Sequence, residues 1–222
     1  MGCEKTLSFE ECWNQTMDQI KQEYNATPSQ TYSELELLYP YIEELRPKNV
    51  LEIGVQFGGS LRFWINALQE SGCVIGIDND PKIPERVKTW QRWLKKGQKL
   101  RILNMDSTKN ETLKEVLKIL GNQKLDFLHI DGDHEMPAPQ MDYNNYGCLV
   151  RPNGIIAFHD IGGPPEVTQN ESLRNFWSQL KKQLLATTNY KTMEFVCRHP
   201  TGIPCGFGVI IKSEYDEEMR SK

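Results

Sequence analysis

The chain is predicted to be an α/β protein, a mostly parallel sheet carrying helices on both faces. Three observations predict it. Short apolar runs alternate with amphipathic stretches along most of the length, the pattern of a parallel sheet buried on both sides. One central run, VLEIG at 50–54, leads straight into a glycine-rich turn with a helix beginning just beyond. The last two runs are joined only by RHPTGIPC, too short for a crossover helix, so that pair is expected to be antiparallel.

The elements follow in order. Phe9 to Tyr24 reads as an N-terminal helix, followed by a polar turn at Asn25 to Gln30. Tyr32 to Leu45 is a second helix, stopped by Arg46-Pro47. Strand 50–54 leads to helix 59–70 and strand 73–78. A break at Pro81 and Pro84 precedes helix 84–95. Strand 100–104, helix 110–120, strand 125–130, helix 138–149 and strand 154–159 continue the alternation. Helix 171–186 leads to the closing pair, Tyr190–Cys197 and Gly206–Lys212.

No internal repeat, low-complexity block or interior linker divides the 222 residues. A single domain is expected: an N-terminal helical cap at 1–46, a core at 47–212 and a polar tail at 213–222. The net charge is −4 and the basic residues are scattered, which argues against a nucleic-acid partner. The small cluster Lys95, Lys96, Lys99 and Arg101 reads as a solvated helix end and loop. No apolar run approaches the roughly 20 residues that span a membrane, and no signal peptide opens the chain. Met1-Gly2-Cys3 with Thr6 formally fits a myristoylation pattern, a short match common by chance. The six cysteines form no C-x-x-C pair or framework, so reduced thiols and a cytoplasmic location are expected.

The chemistry begins at Val50–Ser60. Glycines 54, 58 and 59 allow the backbone to approach a ligand closely. Glu52 is an acid within an apolar run, costly to bury without donors to satisfy it. Twenty-six residues on, the next strand ends in Asp78, placed to bind ribose hydroxyls. Together these features indicate an adenosine-containing cofactor. The glycine spacing is G-x-x-x-G-G, neither the G-x-G-x-x-G of a dinucleotide site nor a P-loop, which argues against a nicotinamide oxidoreductase.

Further acids and imidazoles follow later strands. Asp106 and Ser107 lie after the third, where Asp106 could instead cap the following helix. Asp131, Asp133 and His134 (DGDH) follow the fourth, and His159 and Asp160 the fifth. Ligands of open α/β sheets bind outside the carboxyl ends of the strands, so these groups should converge. A hard divalent cation, Mg²⁺ above all, is the simplest way to offset their charge, the alternative being that the acids cap loops and bind water. Asp131, His134 and His159 could ligate zinc, but no HExxH helix or cysteine cluster supports it. His129, inside its strand, reads as a core histidine, and Trp90 and Trp93 as core or interface. Nothing with facial-triad spacing or a haem ligand points to oxygen chemistry.

Glu-x-Gly-x-x-x-Gly-Gly resembles motif I of the class I S-adenosylmethionine-dependent methyltransferases. The run IDGDHEMPAPQMDYNNYGCLVRPNGIIAFHDI, then LRNFWSQL and GFGVII, is similar to a small branch of that family. The branch includes cephalosporin-hydroxylase-like proteins and metal-dependent sugar O-methyltransferases. The resemblance covers roughly residues 30 to 212. It implies a doubly wound, Rossmann-like sheet of seven strands in the order 3-2-1-4-5-7-6, strand 7 antiparallel. It implies S-adenosylmethionine as cofactor, held by Glu52, Gly54, Gln56, Gly58, Gly59, Ser60, Asp78, Asp106, Ser107 and Asp131, with the adenine edge near Asp106.

It further implies Mg²⁺ at Asp131 and Asp160. His159 stands where metal-dependent relatives usually carry a third acid. His134, three residues after Asp131, matches a general base, with Asp133 orienting it or serving in its place. The expected reaction is metal-assisted O-methylation of a small hydroxylated molecule such as a sugar or specialised metabolite. Metal-independent methyl transfer and non-catalytic cofactor binding are the alternatives. The loop 161–170 could act as a lid, Tyr32 could close over the cofactor or pack in the core, and a homo-oligomer would fit the family.

Overall fold

A computed structural model describes residues 6–26, 30–162, 170–198 and 204–214. The elements in chain order are α1 (Phe9–Tyr24), α2 (Tyr32–Leu45), β1 (Asn49–Ile53), α3 (Gly59–Ala67), β2 (Cys73–Ile77), α4 (Ile83–Gln91) and β3 (Lys99–Leu103). Then come α5 (Asn110–Leu120), β4 (Leu125–Ile130), α6 (Ala138–Tyr146), β5 (Val150–Phe158), α7 (Glu171–Thr187), β6 (Lys191–Arg198) and β7 (Pro204–Ile211).

One seven-stranded sheet runs β3-β2-β1-β4-β5-β7-β6. The first five strands are parallel, and β7 pairs antiparallel with both β5 and β6. Both the expected order and the reversed strand are present. Differences are confined to ends. Helix 138–149 stops at Tyr146 and finishes as a 3₁₀ turn, Gly147–Leu149. β5 starts at Val150, four residues early, and α4 ends at Gln91, short of 95.

Alternation along the strands builds two cores. Val50, Val74, Leu100 and Phe127 face a cluster with α1–α4, including Leu35, Tyr39, Phe63, Trp64 and Trp90. Leu51, Ile75, Leu128 and Ile156 face the opposite cluster with Val116, Tyr146, Leu173 and Trp177. The N-terminal helices therefore cover one sheet face. Each opens on a capping box that satisfies two otherwise orphan N–H groups, Ser8 with Glu11 and Thr31 with Glu34. Trp90 is fully buried and its indole N–H donates to the Phe57 carbonyl. Tyr32 is partly exposed, packed edge-on against Phe9 and Trp13. No helix among the described residues is long and apolar enough to cross a membrane. Most of the expected lid (163–169), His199 and the end of the 213–222 tail lie outside the described residues.

Candidate active site

A cavity of about 790 Å³ opens beyond the carboxyl ends of β1 to β5. Its walls are the loops that follow those strands, joined by Gln30 from the turn before α2. A space of this size lies in the usual range for a small-molecule site.

The loop after β1 begins at Gly54, in left-handed backbone at φ +84°. A Cβ there would stand 1.9 Å from the Asp131 carbonyl oxygen, so only glycine lets the first and fourth strand ends meet. Gly58, also left-handed, is packed so that a Cβ would meet the Trp90 indole at 2.5 Å. It shapes the turn from behind, while Gly54, Gln56, Gly59 and Ser60 line the cavity.

Asp78 reaches across from β2. Its Oδ2 accepts the Val55 and Gln56 N–H groups at 2.9 and 2.7 Å, and its Oδ1 accepts Asp80 N–H at 2.8 Å. The carboxylate expected to meet a ribose thus also clamps the glycine loop, while still lining the cavity. Arg86 braces the loop from outside, donating to the Gln56 carbonyl at 2.6 Å, pairing with Asp80 at 3.0 Å and lying over the Phe57 ring.

Glu52, expected among the residues that hold the cofactor, is placed differently. It is fully buried behind the loop, outside the cavity wall. Its Oε1 accepts from the Ser60 hydroxyl at 2.5 Å and the Trp64 indole at 2.9 Å, and faces His129 Nδ1 at 2.9 Å. These groups answer the cost of burying Oε1, while Oε2 is buried without a partner, and Glu52 reaches the cavity only through Ser60. His129 is the buried core histidine expected.

Asp106 and Ser107 line the cavity from the loop after β3. Asp106 Oδ1 also accepts the Thr108 N–H and hydroxyl, at 2.9 and 2.7 Å. Those bonds hold its carboxyl below the usual carboxylate range, the Thr108 hydroxyl acting most. The turn-forming role and a cavity-facing position coexist.

The densest cluster lies where β4 and β5 end. His134 Nδ1 stands 3.0 Å from Asn170 Oδ1 and 3.8 Å from Asp160 Oδ2, and its Nε2 lies 3.6 Å from Asp131 Oδ1. Asp131 Oδ2 accepts from the Gln30 amide at 2.7 Å, and its Oδ1 faces His159 Nδ1 at 3.1 Å. His159 Nε2 in turn lies 3.2 Å from Glu34 Oε1. Asp160 adopts left-handed backbone at φ +60°, uncommon for a residue with a Cβ.

Charge balance follows from this packing. Burial opposes the charge on Asp131, but His159 and His134 outweigh it and hold the carboxyl well below its ordinary value. Burial likewise works against protonated His159, yet Asp131, Glu34 and Asp160 raise its pKa well above 6.5. His134 is raised in the same manner, burial being overcome by Asp131, Asp160 and Asn170. Asp160, desolvated and beside Asp131, is raised despite the two imidazoles.

Ligand atoms of Asp131, His134 and Asp160 lie within 4.8 Å of one another, a set that could hold a divalent ion. His159, expected as the third ligand, is instead turned into the core between Asp131 and Glu34. His134 takes its place in the cluster. Two carboxylates and one imidazole suit Mn²⁺ or Zn²⁺ as well as Mg²⁺, which prefers oxygen. Asp133, expected to orient His134, is exposed and accepts Glu135 N–H at 2.9 Å, forming its own turn.

Gln30, Glu34 and Asn170 were not singled out by the sequence. The capping pattern Thr31–Glu34 could have flagged Glu34 as a helix-start residue but not as a partner of His159.

A doubly wound sheet with its cavity at the strand ends and a glycine loop after β1 defines a ligand-binding α/β protein of the Rossmann-like class. The chain belongs to the methyltransferase-domain family, whose model matches residues 51–161, half of its length. Among solved structures it is similar to the O-methyltransferase from Bacillus cereus in complex with S-adenosylhomocysteine (SAH). That match has 17% identity and a TM-score of 0.62, covering 92% of this chain and 90% of the other. It is also similar to the O-methyltransferase TomG of Streptomyces achromogenes, involved in tomaymycin synthesis and bound to S-adenosylmethionine. Here identity is 15% and the TM-score 0.64, over 91% and 90% of the two chains. At such identities the likeness is one of fold. A search of curated protein sequences finds no match.

Proposed function

We propose that this chain is an S-adenosylmethionine-dependent O-methyltransferase for a small hydroxylated acceptor, with a divalent cation, Mg²⁺ for instance, assisting at Asp131 and Asp160. The observation that carries this reading is the meeting, in one cavity, of the glycine loop with an imidazole held between two carboxylates. Family membership and solved structures of the same fold holding SAH or S-adenosylmethionine support it.

The cofactor supplies a methyl group on a sulfonium, transferred in line to a nucleophilic oxygen. A divalent cation would lower the pKa of a coordinated hydroxyl. The remaining work falls to the chain. An alcohol is a poor nucleophile until deprotonated, and His134 is the base, its Nε2 left free where Asp131 and Asp160 alone hold the cation. Asn170 Oδ1 accepts the Nδ1 proton, which leaves Nε2 to take the acceptor's proton. Asp131 and Asp160 then stabilise the imidazolium. Gln30 and His159 fix the Asp131 carboxylate from both sides.

A second reading omits the metal. It is favoured by Asp131 itself, whose two oxygens are already engaged by Gln30 and His159. Calorimetric titration of SAH and S-adenosylmethionine, with and without Mg²⁺, on wild type and Asp160→Ala separates the two. Micromolar cofactor binding plus a Mg²⁺ heat lost in the variant is the expected result. Cofactor binding without a Mg²⁺ heat would select the metal-independent reaction, and no cofactor binding would overturn both.

A further inference from the structure

Gln56, within the glycine loop, has left-handed backbone at φ +50°, a conformation that a residue with a Cβ keeps only when its surroundings hold it. Two groups hold it, one at each end of the residue. Its N–H donates to Asp78 Oδ2 at 2.7 Å, and its carbonyl accepts from Arg86 Nη1 at 2.6 Å.

These two ties are joined to each other. Arg86 Nη2 lies 3.0 Å from Asp80 Oδ2, and the Asp80 N–H donates to Asp78 Oδ1 at 2.8 Å. Gln56, Asp78, Asp80 and Arg86 therefore form a closed circuit. It fixes both the loop and the carboxylate placed to meet a ribose. Gln56, Phe57 and Asp78 line the cavity, whereas Arg86 and Asp80 stand behind its wall.

Arg86 is buried, and its guanidinium lies 4.6 Å from the Phe57 ring centroid and 5.8 Å from that of Tyr24. The rings favour a cation of either kind. The two acceptors select arginine, because its planar fork reaches Gln56 and Asp80 with different nitrogens and a lysine has only one. Both acceptors also answer the cost of burying the charge.

We propose that Arg86 is a positioning residue of the cofactor site, holding the loop after β1 in its binding conformation before the cofactor arrives. This rests on the reading of the cavity as an S-adenosylmethionine site. Without the guanidinium, the Gln56 carbonyl loses its tie and the backbone relaxes out of the left-handed region. That movement takes the Gln56 N–H away from Asp78, and the carboxylate is freed with it. The cofactor must then reorder the loop as it binds. Its apparent affinity falls with the fraction of time the loop spends in the binding conformation.

The test is calorimetric titration of SAH on wild type, Arg86→Gln, Arg86→Lys, Asp80→Asn and the Arg86→Gln, Asp80→Asn double variant. Amide hydrogen exchange at 55–57 is read on the same proteins. Arg86→Gln should weaken SAH binding about tenfold, as a loop in its binding conformation about a tenth of the time requires. Arg86→Lys should fall between, since one ammonium cannot hold both acceptors in the same way. The double variant should lose no more than Arg86→Gln alone, because both changes cut one circuit. Without SAH, the Val55 and Gln56 amides should exchange faster in Arg86→Gln than in wild type, and saturating SAH should restore their protection. A merely structural Arg86 would change exchange across the fold and leave it changed with SAH bound. Unaltered SAH affinity in Arg86→Gln, additive losses in the double variant, or loop exchange at the wild-type rate would overturn the inference alone. Absence of SAH binding to wild type would remove the cofactor reading with it. Asp80→Asn, at a partly exposed position, keeps the test open should Arg86→Gln fail to fold. It should weaken SAH binding by a smaller factor and speed exchange at Gln56, and wild-type behaviour on both counts would overturn the inference.

Discussion

At the residue scale, the informative groups are those whose burial and chemistry disagree. Asp142 carries a carboxyl raised from 3.8 to about 6 by desolvation. The sign follows: the native state holds this proton more tightly than the unfolded chain. Stability is therefore lost as pH rises from about 4 to about 6, and the loss is complete above that. Asp142→Asn should raise unfolding free energy by on the order of 2 kcal/mol at neutral pH, with the gain shrinking as pH is lowered through about 6. Urea unfolding at several pH values checks this, and a gain independent of pH would reject it. His134 offers the complementary case. If Nε2 takes the acceptor's proton, His134→Asn should lower turnover by roughly 10²–10⁴-fold, with SAH affinity nearly unchanged in calorimetry. A parallel loss of SAH binding would instead make His134 part of the cofactor site.

At the element scale, α2 deserves a different description from a simple cover. Its capping-box acid, Glu34, accepts the Thr31 N–H and also lies against His159 Nε2, while Gln30 at its start holds Asp131. The helix start is thereby tied to the ends of β4 and β5. Glu34 is fully buried, and burial is outweighed by His159, which holds its carboxyl below the usual range. Removing it leaves the buried His159 imidazolium with a partner on its Nδ1 side only, Asp131. Glu34→Ala should cost about 3–5 kcal/mol, the usual penalty for breaking a buried pair from one side, with Glu34→Gln less severe. Denaturant unfolding of the two variants decides it: equal and small losses would mean that His159 is neutral and does not depend on Glu34. None of these ties was legible in the sequence. Glu34 and His159 are far apart in the chain, and each has a local explanation that hides its partner.

At the scale of the whole molecule, α1 and α2 belong to the core as much as the sheet does. Cys12, Leu35, Leu38, Tyr39 and Ile42 are buried in the cluster that covers one sheet face. A chain beginning at residue 47 would expose that face and lose both Gln30 and Glu34. It should be insoluble or unfold without a cooperative transition, as circular dichroism on heating would show. A soluble, cooperatively folding fragment would make the first 46 residues a dispensable cap instead.

The sequence by itself determined the alternation of strands and helices, the glycine loop and the reversed last strand. Each depends on local physics: apolar periodicity, the backbone freedom of Gly54 and a connection too short for a crossover. It also brought the acids and histidines to one end of the sheet, because strand ends are ordered by topology. Only the tertiary structure decided which way those side chains face. Glu52 and His159 turn into the core because donors and acids from other elements await them there. His134 faces the cavity because Asn170, 36 residues away, accepts its Nδ1 proton. The choice of partner depends on distances between loops that no local pattern encodes.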